Sequence, residues 1–315
     1  MTTLLVSQPD FADHVTPPGH AERADRIVAI EEALARSRFD ALVRRNAPTG
    51  DLMLAELVHD SRYLPQLRAA RPAEGIGQLD PDTFISARSL DAVATGIGGA
   101  LMALDTVLLG QADNAFCAIR PPGHHAEIDR PMGFCLVNTV AITAREAQRK
   151  YGAERIAIVD FDVHHGNGTQ DIFKADPTVF YASSHQMPLY PGTGHPRETG
   201  VGNIVNVPLD ANSDGAAMRD AYLTRIIPAL IDFSPDLLLL SAGFDSHRLD
   251  PLAQLNWESS DFSWLTGKLM DVAERCCGNR IVSLLEGGYD LKGLAGGASH
   301  HVAMLMDGAV GRLED

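Results

Sequence analysis

What this chain of 315 residues has little of narrows it first. Its four cysteines, Cys117, Cys135, Cys276 and Cys277, show no C-x-x-C spacing, and two are adjacent, a pair that rarely bridges without strain. A disulfide framework is therefore not expected, and the thiols read as reduced and mostly buried. Basic residues are scarce. Lysine and arginine number 26 against 41 aspartates and glutamates, a formal net charge of −15, whereas a phosphate backbone demands a basic surface. Nucleic acid is thus not expected as a direct partner. No run of 18 or more apolar residues occurs, so no membrane-spanning helix and no membrane partner are expected. The opening MTTLLVSQPDF has neither a basic start nor a long apolar stretch, so no signal peptide is expected and a cytoplasmic location is the default. Repeats, low-complexity tracts and linkers are also missing, and the expectation is one domain over residues 1–315.

What is present is an alternation. Short apolar, β-branched runs at 114–119, 155–163, 178–185, 203–209, 235–245 and 280–289 each end in polar residues or glycine. Their continuous apolar character suits strands covered on both faces. Helical patterns fall between them, at 87–110, 138–151, 214–232, 258–277 and 292–307. The fold class is therefore α/β: an open parallel sheet with helices on both faces, in a single domain. Such sheets bind ligands beyond the carboxyl ends of their strands. RPPGHH, DFDVHHG, SSH, AGFDSH and EGGYD all fall at expected strand ends, which brings His, Asp and Tyr to one edge.

The chemistry follows from residue types. In DFDVHHGNG, residues spaced by two share a strand face, so Asp160, Asp162 and His164 are expected to point together. A carboxylate and an imidazole suit zinc, and Asp245 in SAGFDSH is the best third ligand. Two carboxylates neutralise the charge of Zn²⁺ and acidify its water less than three histidines would, so a separate base is needed. His124 and His125 are adjacent and cannot easily grip one ion together; they read as the proton-handling pair. With Asp160 behind His124 and Asn167 behind His125, the first favours imidazolium and the second leaves a neutral base. Tyr289, after two glycines, could donate to an oxyanion or simply pack at a strand end. Phe134 and Tyr190 could wall an apolar channel or be loop anchors. His165 reads as a hydrogen-bonding neighbour of the site, and the tandem His300–His301, in a helical pattern, as structural or surface.

RPPGHHAE, GFCLVN, DFDVHHGNGTQ, YPGTG, SAGFDSH and LEGGY, in this order between about residues 14 and 305, resemble the zinc-dependent histone deacetylase family. HHAE and Asn167 are similar to its class II branch. The resemblance implies the arginase–deacetylase fold, one Zn²⁺ on Asp162, His164 and Asp245, and His124 and His125 as acid–base pair with Asp160 and Asn167 as partners. Tyr289 would polarise the acyl carbonyl, where its replacement by His marks poor deacetylases. Gly133, Phe134 and Tyr190 would line the acyl-lysine channel, the Gly133 carbonyl accepting the substrate N–H. Leu252 stands where polyamine-selective members carry an acidic residue, so that selectivity is not implied. Structural K⁺ or Na⁺ would bind near Asp160, Asp162, His164, Ser183 and Ser184, and a second near Phe173 and Val179. Bacterial-type members often associate, which makes a homo-oligomer compatible with the resemblance.

The expected function is removal of acyl groups, acetyl above all, from N-acyl amines such as acetyl-lysine. Hydrolysis of xenobiotic amides or acetylpolyamines by the same machinery is the second reading. A non-catalytic acyl-lysine binding module is the third, disfavoured by the intact His124, His125 and Tyr289.

Overall fold

The computed structural model describes residues 1–308. Ten strands run in chain order: β1 (Thr3–Ser7), β2 (Val43–Asn46), β3 (Ile76–Gln78), β4 (Phe84–Ser86), β5 (Asn114–Cys117), β6 (Ile156–Asp160), β7 (Val179–Gln186), β8 (Ile204–Leu209), β9 (Leu237–Ala242) and β10 (Ile281–Leu285). Eight form one sheet in the order β2-β1-β5-β10-β9-β6-β7-β8, with every neighbouring pair parallel. The central strands β5, β6, β9 and β10 are buried along their whole length, as continuous apolar runs require. β3 and β4 pair separately as an antiparallel hairpin.

The helices are α1 (Asp25–Leu34), α2 (Tyr63–Ala70), α3 (Ser89–Leu108), α4 (Thr139–Tyr151), α5 (Asn167–Phe173), α6 (Gly215–Ala221), α7 (Ile227–Phe233), α8 (Ser259–Cys277) and α9 (Leu291–Asp307), with a π turn between α6 and α7. Side chains set several starts: Asn138 caps α4, Glu258 and Asp261 form a capping box at α8, and Asp290 caps α9. Among the described residues, α3 alone is long and apolar enough to cross a membrane, but most of it is buried within the protein. It is a core helix.

The strand order positions the site. β5 and β6 follow one another in the eight-stranded sheet by sequence, yet β10 and β9 lie between them. The segments leaving the carboxyl ends of these four adjacent strands therefore open onto the same crevice. All six expected strands and all five helical patterns are present, with ends shifted by a few residues and the 214–232 pattern divided into α6, a π turn and α7. β6 ends at Asp160, so Asp162 and His164 do not share a strand face as expected. They are aligned instead by successive Asx turns: Asp160 Oδ1 accepts from the Asp162 amide (3.1 Å) and Asp162 Oδ1 from the His164 amide (2.9 Å). Ser183, Ser184 and His185 lie within β7, which runs on to Gln186.

Candidate active site

Four segments build the site. Past β6, Asp162 and His164 meet Asp245 from the β9 end: His164 Nδ1 lies 3.1 Å from both Asp162 Oδ1 and Asp245 Oδ2. All three residues are buried, and one ligand atom from each falls within 4.8 Å of the others. Burial opposes charge on His164, but hydrogen bonds to Asp162 and Asp245 hold its pKa at about 10. Burial and repulsion from Asp162 push Asp245 up to about 7. Two carboxylates and an imidazole that concentrate negative potential at one buried point fit a zinc ion by donor type and number. A second buried trio, His124, Cys135 and Glu286, is as close together. Its atoms are already committed. Glu286 accepts from the Gly123 and His124 amides and from Ser241 Oγ, and Cys135 Sγ bonds the Gly133 carbonyl, its thiol pKa raised by burial and nearby carboxylates.

The histidine pair comes from the β5 end. His124 Nδ1 is 3.0 Å from Asp160 Oδ2, and its Nε2 is 3.8 Å from Asp162 Oδ2. His125 Nδ1 is 2.7 Å from Asn167 Oδ1. Burial disfavours charge on both rings. For His124, Asp160, Asp162 and Glu286 more than offset it and raise the pKa, whereas burial and the neighbouring His124 and His164 lower that of His125. One imidazolium and one neutral imidazole therefore lie side by side, 4.0 Å between centroids.

Tyr289 stands between β10 and α9. Its amide donates to Asp250 Oδ2 (2.7 Å), and the next residue, Asp290, is the helix cap, which fixes where the ring starts. Arg26, hydrogen-bonded to the Gly288 and Glu286 carbonyls, sits 5.0 Å from the ring centroid. Burial raises the phenol pKa, so the hydroxyl remains a donor. Gly287 is required by close approach, since a Cβ there would lie 2.2 Å from Asp245 Oδ2. At Gly133 (φ +57°) a Cβ would fall 2.4 Å from the His125 ring.

A pocket of about 220 Å³ leads to these groups, lined by Asp82, His125, Gly133, Phe134, His164, Leu189, Tyr190, Leu252 and Tyr289. Phe134 is held at φ 67°, its ring edge-on to Tyr289 at 5.5 Å, and Tyr190 meets His125 at 5.2 Å. Tyr190 reaches the site on the loop between β7 and β8. That loop is tied down by His165 to Thr193 (2.7 Å), His185 to the Gly194 carbonyl (3.0 Å) and Gln170 to Glu198 (2.7 Å).

The residues expected near a first monovalent cation lie on adjacent strands: Asp160, at the end of β6, pairs in register with Ser183 inside β7, and Asp162, His164 and Ser184 are close by in sequence. The residues expected at the second cation surround the Asn203 side chain. The carbonyls of Phe173, Asp176 and Val179 already accept from Asn203 Nδ2 at 2.8, 2.9 and 2.7 Å. The Val201 amide donates to Asn203 Oδ1 (3.2 Å) and so fixes which end of the carboxamide faces them. Reading the sequence alone also passed over Glu286, Asp250, Arg26 and Asp82. The first lay in a quoted motif, LEGGY, where a charged residue before two glycines at a strand end was an available signal.

Metal-type triad, paired histidines and pocket-lining phenol define a hydrolytic site, and the comparisons say of which class. The histone deacetylase domain model matches residues 20–305. The histone deacetylase-like amidohydrolase of Pseudomonas aeruginosa is 38% identical over 87% of this chain and 74% of its own length. The probable deacetylase of Archaeoglobus fulgidus is 36% identical over 93% and 83%. A crystal structure of the HDA15 HD domain superposes with a TM-score of 0.91 at 32% identity, covering 97% of this chain and 90% of that one. The chain belongs to the histone deacetylase family, and with it to the hydrolytic deacetylases and related amidohydrolases.

Proposed function

We propose that the protein is a zinc-dependent hydrolase that removes the acetyl group from the side-chain nitrogen of acetyl-lysine or a similar N-acyl amine. The observation that carries this reading is the pocket itself. Its walls include Phe134, Leu189, Tyr190 and Leu252, and it reaches His125, His164 and Tyr289. An apolar slot ending in polar groups matches a methylene chain that ends in an amide.

Asp162, His164 and Asp245 would hold the zinc ion, which when bound supplies Lewis-acid polarisation of the acyl carbonyl and acidifies water. Neutral His125 accepts the proton of the attacking water, and the same proton then serves the departing amine. His124, kept charged by Asp160, stabilises the negative charge that develops beside it. Tyr289, which lines the pocket, donates to the oxyanion, and the Gly133 carbonyl accepts the substrate N–H. A monovalent cation near Asp160, Ser183 and Ser184 belongs to the same reading, because carboxylate, hydroxyl and carbonyl oxygens suit hard ions.

The test is a turnover screen of the protein, its zinc content verified, over acetyl-lysine peptides, acetylpolyamines and simple anilides. Release of acetate from the peptides above the other classes is expected. A preference for acetylpolyamines or anilides would move the substrate to small amides, and inactivity on all of them would favour a binding module.

A further inference from the structure

RPPGHHAE supplies both histidines of the site but leaves Glu127 without a role. Its side chain is mostly covered, with 21% exposed, and Oε1 lies 2.6 Å from Asn167 Nδ2. Oε2 takes Nη2 of the exposed Arg130 at 2.8 Å. A carboxylate offers only acceptors, so the end of the Asn167 carboxamide that faces Glu127 must be its NH₂. The other N–H has Met132 Sδ at 3.3 Å, and both donors are used. Oδ1 is thereby turned to His125 Nδ1 at 2.7 Å. A carboxamide oxygen only accepts, so Nδ1 must carry the hydrogen. Nε2 is left as the basic nitrogen.

We propose that Glu127 is a positioning residue that sets the tautomer of His125 by locking the Asn167 carboxamide. The chain Glu127–Asn167–His125 passes orientation without passing charge. A direct carboxylate, as Asp160 is to His124, favours imidazolium; an amide held by a carboxylate one step further away favours a neutral ring with a defined basic edge. Without Glu127 the carboxamide can turn over and present NH₂ to Nδ1, which would then be the bare nitrogen and the wrong one. This assignment rests on reading His125 as the base.

Two measurements on the zinc-loaded protein test it. In kinetics with an acetyl-lysine peptide, E127A should lower kcat about tenfold, the low end for losing the partner of a functional imidazole, with KM within about twofold. E127Q keeps an acceptor and should recover most of that loss. R130A removes the other partner of Glu127 and should behave as wild type. N167A/E127A should be no slower than N167A. A twofold or smaller effect of E127A, an E127Q as poor as E127A, an R130A as poor as E127A, or independent losses in the double variant would each overturn the proposal. In nitrogen NMR of the histidine-labelled protein, wild-type His125 should be the Nδ1–H tautomer and E127A a mixture. An Nε2–H ring in the wild type, or no change in E127A, would overturn it too. Should the wild type release no acetate while the tautomer still depends on Glu127, it is the functional reading that fails and the Glu127 assignment that stands.

Discussion

The same dipeptide, His-His, occurs at 124–125 and at 300–301, and the two copies do different things. His301 in α9 is fully buried, with Thr266 Oγ1 2.6 Å from Nδ1 and Ser283 Oγ 2.9 Å from Nε2. The rings of Phe116, Phe161 and Phe244 surround it, and burial pushes its pKa down to about 3. His124 is buried as thoroughly, yet its pKa moves up, because carboxylates rather than hydroxyls face it. Burial is common to both, and the sign of the shift follows the partner. His125, with an amide for partner and a charged ring beside it, goes down and stays in the site. His300 is exposed and, among the described residues, bonds the Gly296 carbonyl one turn back. A tandem of histidines therefore encodes nothing by itself; the elements packed behind each ring decide.

The largest effect that would break this comparison lies at His125. His125→Ala should reduce turnover by roughly 10²- to 10⁴-fold, the range of a general base, while leaving zinc content close to wild type. Steady-state kinetics with metal analysis checks it, and an active H125A would return the first pair to the structural class of the second. Tyr289→Phe comes next. Loss of one oxyanion donor should raise the barrier by about 2–4 kcal/mol, read from kcat at saturating substrate. Full turnover in Y289F would leave the phenol as mere packing against Phe134.

The contrast also marks how far the sequence could be read. Strands β5 to β10 and the helices between them were legible because their largely covered faces write apolar runs, whereas β1, an inner strand of five residues, was passed over. So was β2: its residues VRRN are all exposed, and it is held by backbone pairing to β1 and by Arg44, which donates to the Leu34 carbonyl. The hairpin β3–β4 spans three residues per strand, too few for a period to show. In the site, each residue with its own reactive group was visible in a motif, and the Asp160 and Asn167 partners followed from spacing. The alignment of Asp162 and His164 was attributed to strand pleat, whereas Asx turns produce it; both give a spacing of two, so the pattern cannot separate them. The Asn203 carboxamide among three carbonyls was invisible because its partners are backbone atoms, which leave no mark on the sequence.

His301 supplies the next prediction, on stability in place of activity. His301→Leu leaves Ser283 without its ring partner and should cost about 1–3 kcal/mol in urea unfolding at pH 8, with kcat unchanged. The pH dependence has a definite sign. The folded pKa of about 3 lies below the ordinary 6.5, so the unfolded chain binds the proton first. Stability from this group is complete above the unfolded value and is lost as pH falls toward 3. Between pH 6 and 4 the wild-type slope should exceed that of H301L by about one proton, roughly 1.4 kcal/mol per pH unit. Equal slopes would mean that His301 is charged in the fold despite its hydroxyl partners.

The smallest effect is expected at His300, and it sharpens the comparison because this ring shares its sequence neighbour and its helix with His301. Its hydrogen bond goes to a carbonyl of its own helix, and the ring is exposed. A surface residue of this kind changes stability by no more than about 0.5 kcal/mol. His300→Ala should therefore leave kcat, KM and the unfolding midpoint within error of wild type, and alanine's higher helix propensity offsets much of the lost bond. A clear loss of turnover in H300A would mean that the second pair communicates with the site through α9, whose cap, Asp290, adjoins Tyr289. The comparison would then be one of distance along a helix and no longer one of partners.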